Sequence, residues 1–150
     1  VADVAQYWDD TVRELTGDYE NEDPINWSRF QIVDKGYGYF RTWMDEGVNP
    51  AVIIKVIRTL YANKVNDTRM LFGGEDDPNY EEEMRKLVGP EFKDWMLSDP
   101  IITEWTSVAQ LKRFNGAYIV GGGRDECLRE VEILMNAFNI KYRRIDSLVY

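Results

Sequence analysis

Three successive glycines, Gly121, Gly122 and Gly123, followed by Arg124, Asp125 and Glu126, are the residues of this chain whose types and spacing best suit ligand chemistry. A glycine loop leading into a helix lets the backbone approach a ligand closely, and the first helical amides point outward as anion donors. Arg124 would add a guanidinium clamp. These six residues are the candidate ligand-binding set, for an anion or a small polar molecule. Two features oppose a phosphate. The dinucleotide pattern wants its third glycine where Glu126 stands, and no lysine followed by serine or threonine completes a P-loop. Asp125 and Glu126 also place negative charge in the first turn, where they stabilise the helix dipole themselves. The plainer reading is a glycine turn joining strand to helix.

The remaining reactive groups offer less. The chain has no histidine, which excludes serine–histidine–aspartate triads, cysteine–histidine dyads and histidine-ligated zinc within it. Its single cysteine, Cys127, excludes an internal disulfide and a cysteine metal cage. Cys127 falls on an apolar stripe with Leu128 and Val131 and has no imidazole base, so a buried core thiol is expected rather than a nucleophile. Carboxylates are dense at Asp9-Asp10, Asp76-Asp77, Glu81-Glu82-Glu83 and Asp125-Glu126. A two-carboxylate hydrolase needs its acids facing across a cleft, whereas sequence neighbours point in different directions. The acids near Gly73–Asp77 lack the ligand spacing of an EF-hand. They read as surface loop and helix caps, and neither a metal nor a cofactor is expected. Trp8, Trp27, Trp43, Trp95 and Trp105 fall mostly on helix faces and are assigned to core packing; Tyr37, Tyr39 and Trp43, beside Gly36 and Gly38, could instead form an exposed cluster.

Charge is the strongest compositional signal. The chain of 150 residues has a formal net charge of -9, and the acids are segregated. Residues 1–26 set eight acids against Arg13 alone, and residues 75–99 set nine against Arg85, Lys86 and Lys93. Residues 50–74 and 111–150 lean basic. A field of this sign repels nucleic-acid backbones at long range, so nonspecific nucleic-acid binding is not expected. No apolar run approaches the length of a membrane span, and no signal peptide is visible at Val1, although a leader could have been removed. The lone thiol and missing targeting signal suggest a reducing, cytoplasmic setting.

The elements that must position these groups are set by proline. Asp23-Pro24, Asn49-Pro50, Asp77-Pro78, Gly89-Pro90 and Asp99-Pro100 each read as a helix start, because proline at the first helical position loses no hydrogen bond. The expected helices run from about Val4 to Leu15, from Pro24 to about Met44 with a break near Gly36 and Gly38, over 50–62, from Pro78 to about Val88, near Pro90–Leu97, and from Pro100 to about Phe114. After a turn at Asn115-Gly116 the pattern changes. A buried-type strand over 117–120, an amphipathic helix over 124–138 and a closing strand region from Tyr142 to Tyr150 make a β-α-β unit.

The fold expected is therefore α+β, a single domain over 1–150: a mainly helical lobe (1–114) of about six short helices, and a C-terminal β-α-β lobe (115–150) forming a small sheet. Two parallel strands are too few for an independent sheet, so either residues 28–40 add a strand or the terminal strand pairs with another copy, giving a homo-oligomer. The leading functional expectation is a non-enzymatic interaction module that meets a protein partner through an acidic face built from 1–26 and 75–99. The alternative is a small-ligand- or phosphate-binding enzyme using the glycine loop.

Overall fold

The computed structural model describes residues 39–120 and 123–146. Expectations for the first 38 residues, including the acids of 1–26 and any strand from 28–38, lie outside these, as do Gly121, Gly122 and residues 147–150.

Asn49-Pro50 opens a helix as the sequence predicts. Helix α1 spans Arg41–Asp45 and α2 spans Pro50–Ala62. Between them Gly47 has φ +77°, a left-handed turn that glycine adopts without steric cost. The Asn49 side chain caps α2 by accepting from Ala51 N. Ile53, Val56, Ile57 and Leu60 lie three or four residues apart and form the centre of the core. Tyr39 and Trp43, one alternative for an exposed aromatic cluster, are core residues instead. Trp43 is fully buried, donates its indole N–H to Asp99 O at 2.8 Å and packs edge-on against Trp95. Tyr37 lies outside the described residues.

Of the other proline signals, Asp23-Pro24 lies outside the described residues, Gly89-Pro90 opens a 3-10 turn as read, and two differ from the reading. Helix α3 spans Tyr80–Val88, starting two residues after Pro78, and residues 89–97 form two short 3-10 turns, Gly89–Glu91 and Asp94–Leu97. Asp99-Pro100 does not start a helix. Residues 100–104 stay outside the helices because their backbone is paired elsewhere: Ile102 N donates to Tyr39 O, Thr103 N to Asn66 O, and Ile101 exchanges hydrogen bonds with Thr68. Helix α4 therefore covers only Trp105–Lys112. Proline fixes φ at a value that extended chain also accepts, so long-range pairing decides.

At the C-terminal end the β-α-β unit is present. Strand β1, Ala117–Ile119, pairs in parallel with β2, Tyr142–Arg144, across helix α5, Cys127–Ala137. Gly116 turns into β1 with φ +87°. The sheet has two strands among the described residues. The expectation of a buried-type strand is corrected: Tyr118 and Val120 are exposed on one face, and Ala117 and Ile119 are half-buried on the other. The main body and this unit meet where α5 packs on α2. The described residues thus show an α+β architecture with five α-helices. No helix among them is long and apolar enough to cross a membrane.

Candidate functional site

Of the glycine-loop candidate, Gly123 to Glu126 lie within the described residues and Gly121 and Gly122 do not. Helix α5 begins at Cys127, three residues later than the apolar pattern suggests. Residues 124–126 form a turn in which Gly123 O accepts from both Glu126 N and Leu128 N. Those two amides are therefore engaged by the chain and do not point at a ligand. Arg124 donates to Asp146 O at 3.3 Å, bracing the turn against the end of β2. Asp125 and Glu126 are exposed. A Cβ at Gly123 would lie 3.1 Å from Glu126 Cβ, so the Glu126 side chain already covers the glycine.

What assembles here instead is a cationic cross-link. Arg41, from α1, reaches across to the start of α5: Nη2 lies 3.2 Å from Cys127 Sγ, Nη1 lies 3.7 Å from Glu126 Oε2, and Nε lies 3.6 Å from Glu130 Oε1. Glu130 is fully buried, and its other carboxylate oxygen accepts from Phe40 N at 2.9 Å. Burial works against the Arg41 charge, but Glu130, Cys127 and Glu126 outweigh it and hold the guanidinium above its ordinary pKa. Arg41 is thus a fixed positive charge that is already balanced. Cys127, expected in the core, is exposed. It opens the helix, where its side chain faces Arg41 rather than the apolar side of α5. Neither Arg41 nor Glu130 stood out in the sequence. The Glu126–Glu130 spacing places two acids on one helix face, but their partner lies far back in the chain.

A second site takes shape around residues 75–81. Gly73 and Gly74 both have positive φ, and a Cβ at Gly73 would come within 2.7 Å of Asp77 Oδ2. The positive φ favours glycine at both positions, and a side chain at Gly73 would also push the Asp77 carboxylate aside. Asp77 accepts from Asn79 N at 2.8 Å, closing the turn into α3. The resulting open depression of about 410 Å³ is walled by Glu75, Asp76, Asp77 and Glu81, with Pro78, Tyr80, Leu97 and Ser98 completing it. Glu81, Glu82 and Glu83 sit in the first turn of α3, where the helix dipole favours them.

The depression is predominantly acidic, although Arg69 lies near enough to couple to Glu75 without forming an ion pair with it. Arg85 pairs with Glu81 at 2.8 Å and with Asp94 at 3.2 Å, whereas Lys86 turns to Glu82 and Glu83. Among the described residues no base forms an ion pair with Glu75, Asp76 or Asp77. Tyr80 is buried beneath them and donates its hydroxyl to Thr68 O at 3.3 Å. Desolvation, reinforced by Glu75 and Asp67, pushes its pKa up to about 12, so the phenol is neutral at physiological pH. Nearby, Asp67 is also buried. Desolvation opposes its ionisation, but hydrogen bonds from the Arg69 side chain and backbone prevail and lower its pKa. The depression therefore offers unpaired carboxylates and a small apolar wall. Among the described residues no group of histidine, cysteine or acidic side chains is arranged to hold a metal ion. Compared with protein families, with curated proteins and with solved structures, the chain matches none.

Proposed function

We propose that this domain is a protein-interaction module that docks a basic segment of a partner through its acidic face. The observation supporting this reading is the 75–81 depression, where Glu75, Asp76 and Asp77 carry negative charge that no base within the described residues pairs. The turn through Gly73 and Gly74 and the Asp77 hydrogen bond hold those groups in place, which lowers the ordering cost of binding. Leu97 and Pro78 give an aliphatic stem of lysine or arginine something to pack on. The alternative of an anion or phosphate site at Gly121–Glu126 has less support. Arg124 and two amides of its turn are engaged within the chain, and Asp125 and Glu126 carry the wrong sign.

The test is a titration with a lysine- and arginine-rich peptide at low salt. Neutralising the depression with Glu75→Gln, Asp76→Asn, Asp77→Asn and Glu81→Gln should weaken binding at least tenfold. A control carrying Asp45→Asn, Glu46→Gln, Glu104→Gln and Asp125→Asn removes the same charge from exposed positions elsewhere. Equal losses in the two variants would reduce the effect to a long-range field and end the case for a docking site.

A further inference from the structure

A different surface carries a more specific ligand chemistry. Tyr61 at the end of α2, Trp105 at the start of α4 and Phe138 just after α5 meet where three helix ends converge. Their ring centroids lie 5.4, 5.2 and 6.1 Å apart for the Tyr61–Trp105, Tyr61–Phe138 and Trp105–Phe138 pairs. The corresponding planes are inclined at 74°, 72° and 87°, so the rings build a corner instead of a stack. Trp105 is pinned by its indole N–H, which donates to Val65 O at 3.1 Å. Tyr61 is half exposed.

The corner already holds a cation. Lys112, the last residue of α4, places its ammonium 4.8 Å from the Tyr61 centroid and 5.1 Å from that of Phe138, with the Tyr61 hydroxyl at 3.5 Å. Among the described residues its contacts are ring faces and a phenol rather than a carboxylate. An exposed primary ammonium is a poor occupant for such faces, because it is strongly hydrated and gives up water to approach them. A methylated ammonium has the same charge, weaker hydration and more apolar surface, and aromatic faces favour it for those reasons.

We infer that the Tyr61–Trp105–Phe138 corner is a binding site for a methylated ammonium group, with Lys112 as the tethered occupant that such a ligand displaces. The site stands apart from the acidic depression, and its success or failure is independent of that reading. Tetramethylammonium chloride is the first probe, titrated against the full chain at constant ionic strength while the Trp105 indole N–H resonance is followed. Wild-type protein should bind weakly. Lys112→Ala should bind about two- to fivefold tighter, since the competing cation is gone. Tyr61→Leu, at a half-exposed position that a folded protein tolerates, should lose binding. A neutral isostere, tert-butanol, should leave the resonance in place. Choline and a trimethyllysine peptide then distinguish a free small molecule from a modified partner as the source, and tighter binding of either upholds the site. Lys112→Ala binding no tighter than wild type, or tert-butanol binding as well as the cation, would overturn it.

Discussion

Helices α2 and α5 pack against each other, yet they bury different kinds of side chain. Helix α2 inserts only hydrocarbon: Ile53, Val56, Ile57 and Leu60 are all fully buried. Helix α5 contributes Ile133, Leu134 and Met135 to the same core but also buries two carboxylates, Glu130 and Glu132. Each of these acids is held by a residue distant in sequence: Glu130 by the Phe40 amide and Arg41, and Glu132 by Arg144 of β2 at 3.4 Å. An apolar stripe can pack in several registers, because hydrophobic burial is not directional. A buried acid has few tolerable positions, since its cost is met only where donors converge. On this view α2 supplies cohesion, and α5 fixes where the N-terminal and C-terminal segments of the described chain are attached.

The most damaging way to test that contrast is Glu130→Ala. It orphans the Phe40 amide and leaves Arg41 with weaker partners, and it should lower the unfolding free energy by about 3–5 kcal/mol in denaturant titrations. Glu130→Gln keeps an acceptor for Phe40 and should cost clearly less. If Glu130→Ala costs under about 1 kcal/mol, the buried acid is not an anchor. On the other helix, Ile57→Ala should cost about 2–4 kcal/mol by leaving a cavity, while Ile57→Val should cost only about 1 kcal/mol. A graded response to volume is the behaviour expected of packing, and α5 should lack it at position 130.

Tyr80 gives a smaller, pH-dependent version of the same contrast, a buried polar group near a charged surface. Its folded-state pKa is about 12 against an ordinary 10.0, because burial disfavours the phenolate. Below the ordinary value both states hold the proton and the contribution is complete. As pH rises from about 10 towards 12 the unfolded chain ionises first, so stability falls, by about 1–3 kcal/mol in all. In Tyr80→Phe that part of the alkaline loss should disappear. An unchanged alkaline slope in the variant would assign the loss to other groups, such as lysines.

The same division explains what could be read from the sequence. Helix α2 was visible to the residue, because an Asn-Pro cap and a three-four apolar spacing are local signals. The parallel β-α-β pairing and the Gly73–Asp77 loop were visible for similar reasons. The helix expected after Pro100 failed because the amides of Ile101, Ile102 and Thr103 have partners around residues 39 and 66–68, which no local pattern reports. Of the candidate set, Arg124–Glu126 fall in a turn that Gly123 closes, whereas Gly121 and Gly122 lie outside the described residues. The ligand reading weakened once Arg124 proved to reach Asp146 and the helix proved to start at Cys127. Arg41 and Glu130 were missed for the same reason as the extended 100–104 segment: both halves of the interaction are far apart in the chain. The acidic run of 75–99 was plain, but its subdivision into paired acids and an unpaired depression required side-chain positions.

Cys127 provides the mildest test and bears on the boundary between the two kinds of position on α5. A stripe-based reading puts the thiol with Leu128 in the core; the structure puts it outside, against Arg41. The two arrangements differ in reactivity and in cost of truncation. If the thiol is outside, a maleimide should modify the native protein at a rate close to that of the unfolded chain, and Cys127→Ala should change stability by no more than about 0.5 kcal/mol. A core thiol would react only as fast as the protein opens, and its truncation would leave a void. Slow labelling combined with a loss above about 1 kcal/mol would return Cys127 to the apolar face and would move the start of α5 back towards Arg124. Fast labelling with little loss would place Glu126, at the N-cap, and Glu130, in the first turn, on the Arg41 side, where the cross-link requires them.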